Sequence, residues 1–497
     1  MAKVIMIQGT MSGAGKSLIT AGLCRVFMQD GYKTAPFKSQ NMALNSYITE
    51  NGSEIGRAQA VQAQACGIKP TAAMNPVLLK PTTDMGSQVI VNGSSIGTMA
   101  AKEYFQFKKR LIPQIMAAYE TLDKAYDIIV VEGAGSPAEI NLKSEDIVNM
   151  GLAKMIDAPV LLVGDIDCGG VFAQLYGTVA LLEEEERKRI KGMIINKFRG
   201  DAGILAPGIT MIEEKCGIGV LGVLPYTTAD IEEEDSQSSR FYRKKDGILK
   251  IGVIRFPRIS NYTDFAPLEA CDDVELIYIE TVRQFAQTGF DMVILPGSKN
   301  TMSDLKWFRE SGMEAQLFEI KRNKTLIMGI CGGFQMLGRT ISDSFCVEGE
   351  AYLQGMNLLP VETAFACTKH TTQSAGRVCE NKEFNFIKNP DVSGYEIHMG
   401  ECSYDKGAKP FIIKDDGTYD GCVSENVFGT YFHGIFENTD FTDALLTKLA
   451  KQKHLTRENT TENYAVYRER QFDMLADMVR THMNMEAVYN ILGLDKE

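Results

Sequence analysis

An apolar strand that leads into a glycine-rich loop and then into a helix constrains the fold of this chain more than any other feature. Residues 3–8 (KVIMIQ) have strand composition, residues 9–17 (GTMSGAGKS) form the loop, and a helix is predicted to continue to about residue 29. In this context backbone N–H groups surround phosphates, the Lys reaches the terminal phosphates, and the Ser hydroxyl binds magnesium. The sequence therefore predicts a site for ATP and Mg²⁺, formed by Gly9, Thr10, Ser12, Gly13, Gly15, Lys16 and Ser17.

Apolar segments that alternate with helical ones predict the rest of this domain. Residues 126–131, 159–167, 192–201 and 219–226 each have strand composition. Alternating strands and helices indicate an α/β domain with a mostly parallel sheet covered on both faces. Glu132 follows the first of these strands, which is where phosphate-loop enzymes hold a second magnesium ligand. The sequence predicts Ser17 and Glu132 as the metal ligands.

A polar stretch between the first helix and the next apolar segments provides candidate substrate contacts. Residues 37–47 (FKSQNMALNSY) are dense in amides and hydroxyls, which suit recognition of carboxylate, amide or phosphate groups. Lys38, Asn41 and Asn45 are the predicted contacts, and Asp146 is an acid candidate for the same pocket. A polar surface loop would have the same composition, so both interpretations stay open.

The second half of the chain contains a cysteine at a sharp turn. The stretch 325–338 (TLIMGICGGFQMLG) reaches Cys331 from an apolar strand and then breaks into Gly332-Gly333 before a helix. Such a turn is typical of a nucleophile held at the edge of a sheet, where the start of a helix favours the thiolate. The alternative is a buried structural Cys. About 100 residues later, GTYFHGIF (429–436) delivers His433 to the end of another strand, and Cys/His sites are usually paired across such gaps.

At these motifs the chain resembles the class I glutamine amidotransferases, in which such a Cys attacks the glutamine amide and releases ammonia. The resemblance implies a flavodoxin-like α/β domain with Cys331 and His433 as catalytic residues. It also implies an oxyanion hole formed by Gly297, Ser298 and Gly332. These families often carry Glu two residues after the His, where this chain has Ile435. The orienting acid is then missing or comes from elsewhere, and Glu437 is the nearest in sequence.

Composition bounds the class of protein. The chain has 497 residues, 44% of them hydrophobic, and a net charge of -12 without a long basic block, which argues against binding of nucleic acid. Its 11 cysteines show no zinc-binding spacing and are interpreted as reduced thiols of a cytoplasmic protein. No signal peptide is recognised and no apolar run approaches the roughly 20 residues that cross a bilayer, so no membrane partner is expected.

Length and charge pattern predict two domains and a linker. The predicted division is an ATP-dependent domain over 1–237, a linker over 238–249, and a glutaminase domain over 250–497 that includes the carboxyl-terminal helices. The sequence gives no indication of the oligomeric state.

The phosphate loop is similar to that of dethiobiotin synthetase, and this similarity implies that Asn196 meets the adenine. Met11 stands where ParA and MinD relatives carry a signature Lys. Together, the two domains resemble the cobyrinic and cobyric acid amidating synthases of corrinoid biosynthesis. The motifs PFKSQNMALNS, EGAGSPAEINL, LPGSKNT, GYEIHMG and GTYFHGIF resemble the cobyric acid branch.

This resemblance implies small-molecule substrates: a corrinoid, glutamine, and ATP as co-substrate with Mg²⁺. The corrinoid would be adenosylcobyrinic acid a,c-diamide, and four of its carboxylates would be amidated through acyl phosphates. Two other hypotheses stay open. One is a different ATP-dependent amidating enzyme, and the other is a nucleotide-switch partitioning protein with an inert glutaminase-like domain.

Overall fold

The computed structural model describes residues 1–83, 86–143, 146–232, 245–380, 389–457 and 461–494. The chain divides into two compact units. Unit 1 comprises Met1–Ala43, Ser53–Glu232 and Arg468–Glu497, and unit 2 comprises Leu44–Gly52 and Glu233–Tyr467.

The secondary-structure elements of the described residues are numbered in chain order. Up to residue 232 the strands are β1 (Lys3–Gly9), β2 (Thr34–Phe37), β3 (Gln40–Met42), β4 (Ser46–Ile48), β5 (Glu54–Gly56), β6 (Val77–Thr83), β7 (Gly86–Val91), β8 (Ser94–Ala100), β9 (Ile128–Glu132), β10 (Val160–Asp165), β11 (Ile190–Phe198) and β12 (Val220–Pro225). The α-helices of this part are α1 (Lys16–Gln29), α2 (Arg57–Ala65), α3 (Ala101–Phe107), α4 (Ile112–Ala125), α5 (Met150–Met155), α6 (Val171–Leu181), α7 (Glu184–Arg187) and α8 (Ala202–Cys216).

From residue 245 onward the strands are β13 (Leu249–Ile254), β14 (Val274–Ile279), β15 (Met292–Leu295), β16 (Leu326–Ile330), β17 (Thr340–Ser342), β18 (Tyr352–Gln354), β19 (Val361–Val378), β20 (Asp391–Tyr404), β21 (Ile412–Lys414), β22 (Tyr419–Asp420), β23 (Cys422–Ser424) and β24 (Val427–Thr430). The α-helices are α9 (Ala266–Ala270), α10 (Val282–Gln287), α11 (Thr301–Glu310), α12 (Met313–Arg322), α13 (Gly332–Leu337), α14 (Thr439–Gln452), α15 (Tyr464–His482) and α16 (Met485–Leu492).

Unit 1 is organised around a parallel six-stranded sheet in the order β12-β11-β10-β1-β9-β2. Strands β9 and β10 are buried along their length and β1 is buried from Ile5 onward, as expected for apolar strands of a covered parallel sheet. The strand order changes direction at β1, which has β9 on one side and β10 on the other. Ligands of such sheets bind at the carboxyl ends of the strands beside this switch point. The phosphate loop and Glu132 both lie there, so the predicted α/β architecture is confirmed for this unit.

The carboxyl-terminal helices belong to a different unit from the one predicted. Residues 250–497 are predicted to form the second domain, but Arg468 onward belongs to unit 1. Leu475 and Val479 of α15 are fully buried in one core with α1, and a Cβ on Gly22 of α1 would lie 2.7 Å from Val479. Arg25 adds ion pairs of 2.8 Å to Glu469 and Asp473. The amphipathic pattern of α15 shows that one face is buried, but it does not show which core buries that face.

Unit 2 is organised around a second six-stranded sheet in the order β14-β13-β15-β16-β24-β23. Neighbouring strands are parallel except for β23 and β24 at one edge. A second sheet contains the long antiparallel pair β19 and β20. The predicted α/β glutaminase-type domain is therefore confirmed in its sheet order.

The remaining boundaries also differ in part from the predicted ones. Leu44–Gly52, predicted in the first domain, belongs to unit 2. Of the predicted linker 238–249, residues 238–244 lie outside the described residues. Among the described helices, none is long and apolar enough to cross a membrane.

Candidate functional sites

The phosphate loop of unit 1 has a backbone conformation that requires glycine at two positions. Gly13 and Gly15 have φ values of 73° and 96°, in the left-handed region that favours glycine. At Gly15 a side chain is also excluded by space, because a Cβ would lie 2.0 Å from Nδ2 of Asn196. That amide donates a 2.9 Å hydrogen bond to the carbonyl of Ala14. Asn196 thus holds the loop from beneath, while its predicted contact with adenine stays a prediction.

Lys16 is buried at the end of the loop. Its Nζ donates to the carbonyls of Met11 at 3.0 Å and Gly135 at 2.9 Å. Burial lowers the pKa of Lys16 to about 8, against the opposing effect of Glu132 and with a smaller lowering by Lys38. An ammonium group desolvated in this way acts strongly on any phosphate charge that enters the loop.

Glu132 is the centre of a buried polar cluster. Its Oε1 accepts hydrogen bonds from Ser17 Oγ at 2.8 Å and Lys38 Nζ at 2.7 Å, and its Oε2 accepts one from Gln62 Nε2 at 2.5 Å. Burial alone would raise the pKa of Glu132, but the Lys38 charge and these hydrogen bonds hold it below its usual value. The two predicted magnesium ligands, Ser17 and Glu132, are therefore in direct contact, and the carboxyl group is ionised.

The cluster also contains residues that the sequence did not assign to it. Lys38, predicted as a substrate contact, pairs with Glu132, and Gln62 was not singled out. On the other side of the loop, Lys197 Nζ donates to the Gly13 carbonyl at 2.8 Å and to Asp165 Oδ2 at 2.7 Å. Asp165 ends β10 beside β1, and an acid at a parallel strand end was the signal that could have revealed it.

The other predicted substrate contacts are divided between the two units. Asn41 donates to Gln59 Oε1 at 2.9 Å within unit 1. Asn45 belongs to unit 2. Asp146 accepts bonds from the backbone N–H groups of Val148, Asn149 and Gly151 at 2.8–2.9 Å. Both carboxylate oxygens of Asp146 are thus engaged in holding the loop before α5, which differs from the ligand role predicted for it.

In unit 2, Cys331 lies on the predicted sharp turn. It follows β16 directly and precedes α13, with φ 51° and ψ -108°. This positive φ is strained for a residue with a side chain. The glycines after it allow close packing, since a Cβ on Gly333 would lie 2.0 Å from the Leu295 carbonyl oxygen. Cys331 Sγ lies 3.6 Å from the carbonyl oxygen of Ile397.

His433 reaches the cysteine because its strand is the neighbour of β16. β24 pairs in parallel with β16, so both side chains emerge at the same edge of the sheet. Cys331 is close enough to His433 to contribute to the raised pKa of its ring. The ring of Tyr395 stacks on His433 at a centroid distance of 5.2 Å and an interplanar angle of 19°. The histidine ring is therefore fixed on one face as well as at its edge.

The acid that orients His433 is Asp264. Its Oδ2 lies 2.7 Å from His433 Nδ1, and its Oδ1 accepts the backbone N–H of Gly434 at 3.0 Å. Burial alone would lower the pKa of His433, but the Asp264 charge and hydrogen bond, with a smaller effect of Cys331, raise it to about 10. Glu437, the nearest acid in sequence, is exposed. Asp264 lies in a 3₁₀ turn, Tyr262–Phe265, soon after β13.

The predicted oxyanion residues lie close to one another and to His433. A Cβ on Gly332 would lie 3.0 Å from the backbone nitrogen of Ser298, and one on Gly297 would lie 3.2 Å from Cε1 of His433. The Ser298 hydroxyl donates to Asp304 Oδ2 at 2.6 Å, which anchors this turn. The backbone of Ser298 therefore lies beside that of Gly332, and their role as an oxyanion hole stays a prediction.

The segment Leu44–Gly52 packs beside this site within unit 2. The backbone N–H of Ser46 lies 3.4 Å from Oδ1 of Asn261, whose Nδ2 lies 3.4 Å from both ring nitrogens of His433. Tyr47 contacts Tyr395 at a centroid distance of 5.9 Å. The last two residues of the predicted substrate stretch, Ser46 and Tyr47, thus touch the two side chains that flank the histidine.

Together, a phosphate loop at a parallel sheet and a Cys–His–Asp arrangement at the edge of a second sheet define a nucleotide-binding glutamine amidotransferase. Residues 5–240 match the family described as the CobQ/CobB/MinD/ParA nucleotide binding domain. Residues 250–441 match the CobB/CobQ-like glutamine amidotransferase domain.

Relatives align over the full chain. A cobyric acid synthase of Lachnoclostridium phytofermentans is 56% identical over 513 aligned residues, covering 99% of each chain. One of Ruminiclostridium cellulolyticum is 50% identical, covering 99% of this chain and 97% of its own. One of Clostridium acetobutylicum is 49% identical, covering 99% of each. The chain belongs to the cobyric acid synthase family.

Proposed function

We propose that the chain uses ATP and glutamine to amidate the four peripheral carboxylates b, d, e and g of adenosylcobyrinic acid a,c-diamide, which gives adenosylcobyric acid. The observation that carries this proposal is the presence, in one chain, of the ionised Glu132 cluster at a phosphate loop and the Cys331–His433–Asp264 arrangement. The relatives named cobyric acid synthase support the choice of substrate.

The glutaminase half-reaction begins at Cys331. Its thiolate attacks the side-chain amide carbon of glutamine, and the backbone of Ser298 and Gly332 stabilises the oxygen that becomes negative. His433, held protonated by Asp264, gives its proton to the departing nitrogen, so ammonia leaves and a glutamyl thioester remains. Water, deprotonated by the now neutral His433, attacks the thioester and releases glutamate and the thiolate.

The ligase half-reaction makes a carboxylate reactive. A carboxylate oxygen of the corrinoid attacks the γ-phosphorus of ATP, the bond to the β-phosphate oxygen breaks, and ADP leaves. Ammonia then attacks the carbonyl carbon of the acyl phosphate. The bond between this carbon and the phosphate oxygen breaks, phosphate leaves, and the amide forms. Lys16 stabilises the charge on the transferred phosphoryl group, and the loop N–H groups hold the remaining phosphates.

Ser17 and Glu132 are the residues that would hold Mg²⁺ in this reaction. Their hydroxyl and ionised carboxylate oxygens are 2.8 Å apart and are the donor types that Mg²⁺ prefers. When bound, Mg²⁺ neutralises negative charge on the phosphates. Lys38, 2.7 Å from the same carboxylate oxygen, adds a second positive charge at the cluster.

A labelling experiment tests the proposal. The full chain is incubated with ATP, Mg²⁺, adenosylcobyrinic acid a,c-diamide and glutamine labelled with ¹⁵N in its side-chain amide. We expect mass spectrometry to show four successive amidations, each carrying one label and each requiring ATP. Parallel incubations replace the corrinoid by cobyrinic acid or by a non-corrinoid carboxylate, or replace glutamine and corrinoid by DNA. Amidation of the non-corrinoid carboxylate instead, amidation confined to positions a and c of cobyrinic acid, or ATP hydrolysis stimulated by DNA would each overturn the proposal.

A further inference from the structure

A cluster of two histidines and one glutamate lies on the β19–β20 ribbon, and the proposed reaction does not use it. His370 of β19 is directly opposite His398 of β20. Glu396 is two residues before His398 and therefore projects from the same face of the strand. The register of the β19–β20 pairing shifts between Phe365 and His370. Irregularities of this kind commonly redirect the side chains at the site where they occur.

The ligand atoms of this cluster converge. Glu396 Oε2 lies 3.4 Å from Nε2 of His398 and 4.0 Å from Nε2 of His370. One ligand atom from each of the three residues can be chosen so that all lie within 4.8 Å of one another. Ligands about 2.0–2.2 Å from a tetrahedral zinc ion are roughly 3.3–3.6 Å apart, so small side-chain movements would bring this set to that spacing.

The hydrogen bonds around the cluster leave two acceptor atoms facing each other, an arrangement that suits a cation. Nδ1 of His398 lies 2.8 Å from the carbonyl oxygen of Gly400, and since a carbonyl only accepts, Nδ1 carries the proton. The lone pair of Nε2 then faces a carboxylate oxygen of Glu396, which is also an acceptor. Two acceptors at 3.4 Å require a proton or a metal ion between them. Metal-binding histidines commonly donate their other N–H to a carbonyl in this way.

The second carboxylate oxygen of Glu396 is held separately. Oε1 accepts from Ser374 Oγ at 2.5 Å and from Lys414 Nζ at 3.2 Å, which leaves Oε2 as the oxygen directed at the histidines. The His398 ring also stacks on Tyr431 at a centroid distance of 3.8 Å. The glutamate and this histidine are thus fixed before any ion arrives.

Burial also suits a metal ion. The side chains of Glu396 and His398 are 4% and 8% exposed, whereas that of His370 is 51% exposed and gives access from solvent.

We propose that His370, Glu396 and His398 form a binding site for a transition-metal dication such as Zn²⁺. Imidazole and carboxylate donors in this number suit that class of ion and leave a fourth position for water. The site shares β20 with the glutaminase region, because the carbonyl of Ile397, between two of the ligands, faces Cys331. Binding at this site does not depend on the function proposed above.

Equilibrium dialysis of the full-length protein with Zn²⁺ tests the site, and Co²⁺ serves as a spectroscopic probe. We expect one tightly bound ion, with a Co²⁺ spectrum that lacks the charge-transfer band of a thiolate ligand. The substitutions His370→Gln, Glu396→Gln and His398→Gln should each weaken binding at least about tenfold. His482→Gln, at an exposed histidine, is the matched control and should bind as the wild type does.

The charge of Lys414 gives a second test. Lys414→Gln removes the nearest positive charge and should tighten Zn²⁺ binding, since repulsion of the ion decreases. Thermal unfolding and ammonium-dependent synthesis show that each variant remains folded. Absence of a bound ion in the wild type, equal binding by the three ligand variants, or weaker binding by a folded Lys414→Gln would each overturn the proposal. In those cases the cluster is an imidazolium–carboxylate pair.

Discussion

The Nδ1 atom of His433 lies 2.7 Å from the Oδ2 atom of Asp264, a residue 169 positions earlier in the chain. The same carboxylate holds the backbone N–H of Gly434, so it fixes both the ring and the chain that carries it. This contact replaces the Glu that glutaminases of this type often carry two residues after the His, where this chain has Ile435. Asp264 therefore supplies the orienting charge from a different strand end.

Removal of this charge should impair the glutaminase specifically. Asp264→Asn keeps the size of the side chain but not its charge, and we expect glutamine hydrolysis to slow at least about tenfold. An orienting carboxylate contributes up to roughly 10⁴-fold in comparable Ser–His–Asp sites. Steady-state assays with glutamine and with ammonium salt measure the two activities, and the ammonium-dependent rate should be unchanged. Glu437→Gln is the matched control, and a larger loss for it than for Asp264→Asn would contradict this assignment.

The pH dependence of the glutaminase should report the same contact. The pKa of His433 is raised from 6.5 to about 10 on folding, so its protonated ring stabilises unit 2 fully below about pH 6.5. This contribution is lost as the pH rises toward about 10. Without the Asp264 charge the ring should lose its proton at lower pH. We therefore expect the alkaline limb of the kcat/KM profile to move to lower pH in Asp264→Asn, and an unmoved limb would contradict protonation of His433 as its cause.

Glu132 should matter for the ATP-dependent half-reaction and not for glutamine hydrolysis. Glu132→Gln removes the charge that pairs with Lys38 and that is assigned to Mg²⁺, while a side-chain oxygen remains to accept hydrogen bonds. We expect the Mg²⁺ concentration for half-maximal synthesis to rise about tenfold or more. Glutaminase activity should stay within about twofold, as should both activities of Glu120→Gln, at an exposed acid of α4. Equal loss of both activities in Glu132→Gln would indicate a role in folding.

The carboxyl-terminal helix α15 should stabilise unit 1. Leu475 is fully buried in the core that contains α1, so Leu475→Ala should cost about 2–5 kcal/mol in the free energy of unfolding. Binding of a fluorescent nucleotide reports the unfolding of unit 1 in urea, and the midpoint of this transition should shift to a lower urea concentration. Fluorescence of Trp307, the single tryptophan of the chain, follows unit 2 and should shift less. Met474→Ala, at an exposed neighbour, is the control, and an equal shift for both variants would contradict the packing described.

The local parts of both sites could be predicted from the sequence, because their geometry is encoded within a few residues. The phosphate loop and the Cys331 turn each consist of a strand, glycines and a helix, and the structure has both. Asp264 was not predicted, since its partner is distant in sequence and the usual acid position is occupied by Ile435. The signal for it was the polar turn NYTDF soon after β13, because carboxyl ends of parallel strands meet at one edge of a sheet.

Long-range packing could not be read from pattern alone. Lys38 was predicted to contact substrate, but a lysine in a polar stretch gives no indication of which carboxylate it meets. Phe472, Leu475 and Val479 recur at helical spacing, and all three are buried in one core. The pattern did not show that this core is that of α1, because an apolar stripe specifies burial without a partner. The assignment of Leu44–Gly52 to unit 2 depends in the same way on tertiary contacts.

The most direct test of the account is ammonium rescue of corrinoid amidation in Cys331→Ala, measured by mass spectrometry beside Lys16→Ala. The account predicts that Cys331→Ala loses glutamine-dependent synthesis but retains synthesis from ammonium salt at a pH that supplies free ammonia. Lys16→Ala should lose both, because carboxylate activation precedes attack by nitrogen. Failure of a folded, ATP-binding Cys331→Ala with ammonium, or near-normal ammonium-dependent product from Lys16→Ala, would contradict the division of the reaction between the two sites.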